Sequence, residues 1–202
     1  MKTFLKIALL TAALALSCSA QAAKNILLFG DSLSAGYGIA REASWVNLLQ
    51  QQLKKDHLQF EVVNASISGE TTAGGLRRIG KALQQHQPEI VIIELGANDG
   101  LRGASVRATG RNLSVLIKQS LDARAKVLLL GIQLPPNYGP DYTKRFRALY
   151  PKLAKRYKVA LVPFMLEGIP PEQFQADNLH PNEAAQPRIM QNILHALQPL
   201  LR

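Results

Sequence analysis

Four short polar segments of this 202-residue chain carry residue types that could perform nucleophilic acyl transfer: Gly30-Asp31-Ser32-Leu33-Ser34, Asn64-Ala65-Ser66-Ile67-Ser68-Gly69-Glu70, Gly96-Ala97-Asn98-Asp99-Gly100 and Asp177-Asn178-Leu179-His180-Pro181. A serine hydroxyl is a poor nucleophile until a base takes its proton. Imidazole titrates near neutral pH and can be that base. A carboxylate on the far ring nitrogen fixes the tautomer and stabilises the imidazolium. Ser32, His180 and Asp177 are the candidates for these three roles. Asp177 precedes His180 by three residues, so a single turn can bring the two side chains together, and Pro181 would help hold that turn. Each residue has a plainer reading when taken alone. Ser32 could cap a helix, Asn98 could be a loop residue tolerant of left-handed backbone, and an Asp-x-x-His pair is common by chance. Asp31 and Asp99 read as loop-stabilising, and His57, His86 and His195 as surface or packing residues. The joint occurrence of all four segments on loops of one predicted rim favours the chemical reading.

That rim follows from the apolar pattern. Runs at Ile26–Phe29, Phe60–Val63, Ile90–Ile93, Val127–Leu130 and Val159–Val162 are nearly continuous in hydrophobicity, as suits strands buried on both faces of a parallel sheet. Amphipathic stretches lie between them: one from Trp45 with Ser44 as its cap, then Ala73–Gln85, Ser105–Leu121, Tyr142–Tyr157 and Glu183–Leu197. Strands alternating with helices predict an α/β fold, a three-layer α/β/α sandwich on a five-stranded parallel sheet. In such sheets ligands bind beyond the carboxyl ends of the strands, near the topological switch point. The four polar segments follow strands, the last at some distance.

These segments, in this order, resemble the four blocks of the SGNH, or GDSL-type, hydrolases, and the resemblance extends over essentially the whole chain after residue 22. It implies a flavodoxin-like topology and serine-dependent hydrolysis of acyl esters and thioesters through an acyl-enzyme on Ser32. It also assigns the oxyanion donors: the Ser32 and Gly69 backbone N–H groups and the Asn98 side-chain amide. A glycine at 69 suits that role, since a side chain there could block close approach of substrate. The α/β-hydrolases share the order Ser…Asp…His but place the serine in a Gly-x-Ser-x-Gly elbow, unlike Gly30-Asp31-Ser32-Leu33-Ser34. For the acyl group, apolar rim residues are the candidates: Leu101, Leu134, Pro135 and Tyr138, with Ile132, Phe164 and Met165 beside them, the last two reading slightly better as core.

Composition narrows the alternatives. Hydrophobic residues make up 47% and charged residues 19%, an ordinary globular balance. Residues 1–22 read as a cleaved export signal: Lys2 and Lys6, an uncharged apolar run from Ile7 to Leu16, then Ala20-Gln21-Ala22. A single hydrolase domain over residues 23–202 and a periplasmic or secreted location are therefore expected. Cys18 is the only cysteine and falls in that signal, so neither a disulfide nor thiol catalysis is expected of the mature chain. The net charge is +10, or +8 without Lys2 and Lys6. It is compatible with peripheral contact at a phospholipid surface, but without basic residues interleaved with stacking aromatics no nucleic-acid partner is expected. The expected partners are small acyl esters, acyl thioesters or lysophospholipids, met by a monomer. No metal or other cofactor is expected, since a metallophosphoesterase would need Asp-x-His and His-x-His pairs, which are absent. Two further readings are a carbohydrate acetylesterase of the same family and a non-catalytic lipid-binding protein.

Overall fold

The computed structural model of the chain describes residues 24–202; the export signal expected over residues 1–22 lies outside them. Five strands, β1 (Lys24–Gly30), β2 (Phe60–Asn64), β3 (Ile90–Glu94), β4 (Lys126–Leu130) and β5 (Ala160–Val162), form one sheet in the order β2-β1-β3-β4-β5. Every pairing is parallel, with Leu28 of β1 level with Asn64 of β2 and Ile92 of β3. β3 is wholly buried and β1 is buried from Ile26 onward, as near-continuous apolar runs in a covered parallel sheet should be.

Eight helices complete the described fold: α1 (Ser32–Ala35), α2 (Trp45–Lys55), α3 (Thr72–His86), α4 (Ala97–Leu101), α5 (Val106–Asp122), α6 (Pro140–Arg147), α7 (Leu149–Tyr157) and α8 (Gln186–Leu197). α2 packs with α8 in one layer, and α3, α5 and α7 pack together in the other. This is the expected three-layer sandwich with flavodoxin-like strand order. Ser44 caps α2 as anticipated, its Oγ accepting from the Asn47 N–H. Trp45, fully buried, donates its indole N–H to the Leu33 carbonyl at 3.0 Å. That bond ties α2 to the turn carrying Ser32, and truncating a fully buried tryptophan costs about 3–5 kcal/mol.

The single helix expected over Tyr142–Tyr157 is instead two, α6 and α7, meeting at Ala148. Pro151 explains the break. It has no N–H to give the Arg147 carbonyl four residues back, and its ring would collide with that carbonyl in a continuous helix. The helix expected to begin at Glu183 starts as a short 3₁₀ turn, Glu183–Ala185, and becomes α-helical only from Gln186. Residues 97–101, expected as loop, form the short helix α4.

The chain leaves β1 toward β2 on one side and returns to β3 on the other, so the topological switch point lies between the carboxyl ends of β1 and β3. The α1 turn follows β1, the Gly69 loop follows β2 and α4 follows β3.

Candidate active site

Ser32 opens α1 immediately after β1. Asp31 is the cap of that helix, its Oδ1 accepting from the Leu33 N–H at 3.1 Å. The cap sharply redirects the chain and holds Ser32 at the sheet's carboxyl edge. His180 arrives from residues 173–182, a small hairpin closed by the bridge between Phe174 and Pro181. Within it the Gln175 N–H donates to the His180 carbonyl at 2.8 Å and the Asn182 N–H to the Gln173 carbonyl at 2.8 Å. At its tip Asp177 Oδ1 accepts from the backbone N–H groups of Leu179 (2.9 Å) and His180 (3.0 Å), a turn that Asp favours. Asn178 takes the left-handed conformation this turn requires, at φ 55°, which Asn tolerates better than most side chains.

The remaining carboxylate oxygen, Asp177 Oδ2, lies 2.6 Å from His180 Nδ1, and His180 Nε2 lies 2.8 Å from Ser32 Oγ. An ionised carboxylate can only accept, so Nδ1 carries the proton and Nε2 is left to accept from the serine hydroxyl. Although desolvation opposes it, hydrogen bonds from the His180 backbone, the His180 ring and the Leu179 N–H lower the Asp177 carboxyl from 3.8 to about 2. The Tyr37 ring leans on the imidazole with centroids 4.6 Å apart. Gln175 ties the two loops together, its amide donating to the Tyr37 and Pro181 carbonyls at 2.9 and 3.1 Å.

Across from the histidine sit Gly69 and Asn98. Among the described residues neither the Ser32 nor the Gly69 backbone N–H is used in a hydrogen bond. Gly69 has φ +78°, while a Cβ added there would meet nothing closer than Arg102 at 3.8 Å. The need for glycine is thus a backbone need as well as one of substrate access. The Asn98 amide donates to Asp31 Oδ2 at 3.1 Å and to the Glu70 carbonyl at 3.0 Å. Both of its acceptors identify the nitrogen end of the side chain. Asp99, read from sequence as loop-stabilising, accepts from the Thr72 N–H and hydroxyl and so fastens α4 to the start of α3.

These groups open onto an apolar cavity of about 500 Å³. Of the candidate acyl contacts, Leu101, Leu134, Pro135, Ile132 and Phe164 line it. Tyr138 does not; its hydroxyl donates to the Leu101 carbonyl at 2.9 Å, so it braces a wall residue from behind. Met165 is fully buried core. Sequence reasoning missed Leu33, Tyr37, Phe174 and Leu179, which also line the cavity. Their signal was available for two of them, since Leu33 and Leu179 directly adjoin Ser32 and His180 in sequence. His57, His86 and His195 lie away from it. Among the described residues no group of three or more His, Cys, Asp or Glu side chains converges as metal ligands would.

Known proteins resemble the chain along nearly its full length. Residues 28–187 match the GDSL-like Lipase/Acylhydrolase family. Esterase TesA of Pseudomonas aeruginosa is 48% identical over 191 residues, covering 94% of this chain and 95% of that protein. Thioesterase 1/protease 1/lysophospholipase L1 of Escherichia coli K12 is 45% identical over 188 residues, covering 92% and 89%. The crystal structure of the psychrotrophic esterase EstA from Pseudoalteromonas sp., inhibited by monoethylphosphonate, superposes with a TM-score of 0.84 at 42% identity, covering 88% of this chain and 98% of that one. The chain therefore belongs to the GDSL-like lipase/acylhydrolase family, the serine hydrolases of SGNH type.

Proposed function

We propose that the protein hydrolyses acyl esters and acyl thioesters, lysophospholipids among them, through an acyl-enzyme on Ser32. The observation that carries this reading is the continuous chain from Asp177 Oδ2 to His180 to Ser32 Oγ, with spacings of 2.6 and 2.8 Å, opening onto an apolar cavity. In the first step Ser32 Oγ bonds to the acyl carbonyl carbon as its proton passes to His180 Nε2. The tetrahedral oxyanion is received by the N–H groups of Ser32 and Gly69 and by the Asn98 N–H that turns to it from the Glu70 carbonyl while the other stays on Asp31, donors whose individual loss typically costs about 10²–10³ in turnover. The carbon–oxygen or carbon–sulfur bond then breaks, and His180 returns the proton to the departing alcohol or thiol. In the second step water gives its proton to His180 and its oxygen to the acyl carbon. The Ser32 ester bond breaks, the hydroxyl regains its proton and the free acid leaves. Asp177 keeps the imidazole in the tautomer both steps need.

The apolar wall of Leu101, Ile132, Leu134 and Pro135 favours a fatty acyl chain over an acetyl group, and so this reading over a carbohydrate acetylesterase. The EstA crystal structure supports it too, because a phosphonate is a tetrahedral mimic of the proposed intermediate in a 42% identical relative. Export after cleavage near residue 22 would place the enzyme in the periplasm or outside the cell, acting as a monomer without metal. The test compares wild type with Ser32→Ala on p-nitrophenyl esters of graded chain length and on palmitoyl-CoA. We expect longer-chain turnover in the wild type and a loss of about 10⁴-fold or more in the variant. Activity surviving in Ser32→Ala would remove the nucleophile assignment, and activity confined to acetyl esters would favour the acetylesterase.

A further inference from the structure

Beneath the oxyanion donors lies a carboxyl group that the reaction as written does not use. Glu94 ends β3, is wholly inaccessible to solvent and is paired with no lysine or arginine among the described residues. Its Oε2 accepts from the Asp31 N–H at 3.1 Å and from the Ser34 hydroxyl at 2.8 Å. Its Oε1 has no hydrogen-bond partner among the described residues. The neighbouring strand β1 is shaped around it. A Cβ on Gly30 would stand 2.7 Å from Glu94 Oε2 and 3.0 Å from the Ser34 Cβ, closer than any side chain could be accommodated without displacing the carboxyl.

An ionised carboxylate in this position would have one oxygen unsolvated and no countercharge, which is the costliest way to bury a polar group. A neutral carboxyl avoids that cost. Burial and then the charge of Asp31 push the Glu94 carboxyl well above the ordinary range. Burial raises Asp31 as well, from 3.8 to about 6, against the opposing hydrogen bonds from Leu33 and Asn98. The proton of the pair belongs on Glu94, whose Oε1 has no donor to accept from, and the negative charge on Asp31, which accepts from the Leu33 N–H and the Asn98 amide. The other ionisable groups facing it are Tyr150 of α7, whose hydroxyl donates to the Leu95 carbonyl, and His180 across the cavity.

The charge on Asp31 matters because of what that carboxylate holds. One oxygen caps the helix that begins with Ser32 and the other receives the Asn98 amide. We propose that Glu94 is a positioning residue of the oxyanion hole, a proton-bearing carboxyl that fixes Asp31 from below and, through it, aims the Asn98 amide. Its neutrality keeps a second negative charge away from the oxyanion, and its acceptor oxygen anchors the backbone at the point where strand turns into nucleophile.

This inference rests on the proposed serine mechanism, and the experiment separates the two. On a soluble p-nitrophenyl ester, Glu94→Gln, which keeps an acceptor and stays neutral, should hold kcat within about tenfold of wild type. Glu94→Leu, similar in bulk but without an acceptor, should lose about 10²–10³ in kcat with KM little changed. Combined with Asn98→Ala, Glu94→Leu should cost clearly less than it does in the wild-type background, because part of its effect passes through the Asn98 amide. In infrared spectra at pH 7 the wild type should show the carbonyl stretch of a protonated carboxyl that Glu94→Gln lacks, a measurement that stands even where Glu94→Leu fails to fold. The inference is overturned if Glu94→Gln is as slow as Glu94→Leu, if Glu94→Leu turns over like wild type, if the double variant is fully multiplicative, or if the protonated band is missing. Any of these alongside an inactive Ser32→Ala leaves the serine mechanism standing, whereas an active Ser32→Ala removes the mechanism itself.

Discussion

On one side of Ser32, the proposed oxyanion donors rest on Asp31, Glu94 and Asp99, three buried carboxyl groups at or just beyond the carboxyl ends of β1 and β3 and tied to α1, α3 and α4. On the other side, the proposed base and its carboxylate sit at the tip of a ten-residue hairpin, with Asp177 exposed and bonded only to residues two and three further along. The difference follows from what each side must do. Donors to an oxyanion work by being fixed before charge develops, and a dry, over-determined scaffold supplies that. A proton carrier must pass a proton between serine, leaving group and water, and needs only a correct tautomer and a reachable nitrogen. A local turn is sufficient for both.

The largest expected effect tests whether the turn does more than hold shape. In Asp177→Asn the side-chain oxygen can still accept from the Leu179 and His180 N–H groups, so the hairpin should persist. The ring tautomer is no longer enforced, and kcat should fall by about 10³–10⁴. The expected outcome is a near-unchanged urea midpoint beside that loss. A large drop in stability would mean that the exposed side is as structurally invested as the buried one.

The two sides should also separate by pH. Asp31 has a raised folded-state value of about 6 against 3.8. Between those values the native protein keeps a proton that the unfolded chain has released, so this group's contribution is present below pH 3.8 and is lost as pH rises through about 6. At about 1.4 kcal/mol per unit the swing is about 3 kcal/mol. Asp177 runs the other way, its contribution present above 3.8 and lost as pH falls through about 2. The windows do not overlap. Urea unfolding at pH 4 and pH 7 should show Asp31→Asn with a flatter pH dependence than wild type, while Asp177→Asn tracks wild type across that range. Asp31→Asn should also lower kcat, because an amide facing the Asn98 nitrogen sets donor against donor.

The same contrast governs what the sequence revealed. The central strands were legible because both faces of each are covered, leaving no polar interruptions in Ile90–Ile93 or Val127–Leu130. The Asp177–His180 turn was legible because its hydrogen bonds are local, so spacing alone announces them. The scaffold beneath Asn98 was not. Glu94 pairs with a residue 63 positions earlier, and nothing in a chain of letters marks a glutamate after an apolar run as buried and neutral. Tyr138 was misjudged for a related reason. Its place beside Leu134 and Pro135 suggested the cavity, yet its hydroxyl is drawn to the Leu101 carbonyl from another loop. The break at Ala148 was within reach, since Pro151 forbids a continuous helix, but the apolar period across Tyr142–Tyr157 masked it.

Gln175 joins the two sides and gives the smallest and most discriminating effect. Its amide donates to the Tyr37 carbonyl on the nucleophile loop and to the Pro181 carbonyl on the histidine hairpin, and its backbone closes the hairpin at the His180 carbonyl. Gln175→Ala removes the two side-chain bonds and keeps the backbone one. Two hydrogen bonds of this kind contribute about 1–3 kcal/mol together. If the base side needs only its own local turn, the loss should appear as stability alone, with kcat within about threefold of wild type, since about 0.6 kcal/mol is all that threefold represents. If instead the Tyr37–His180 contact at 4.6 Å depends on this clamp, kcat should fall about tenfold or more, because a misplaced imidazole lengthens the serine bond in every turnover. A base held by its own local turn gives the first outcome. The second would mean that the hairpin is aimed from outside, and that both halves of the site are held by long-range contacts.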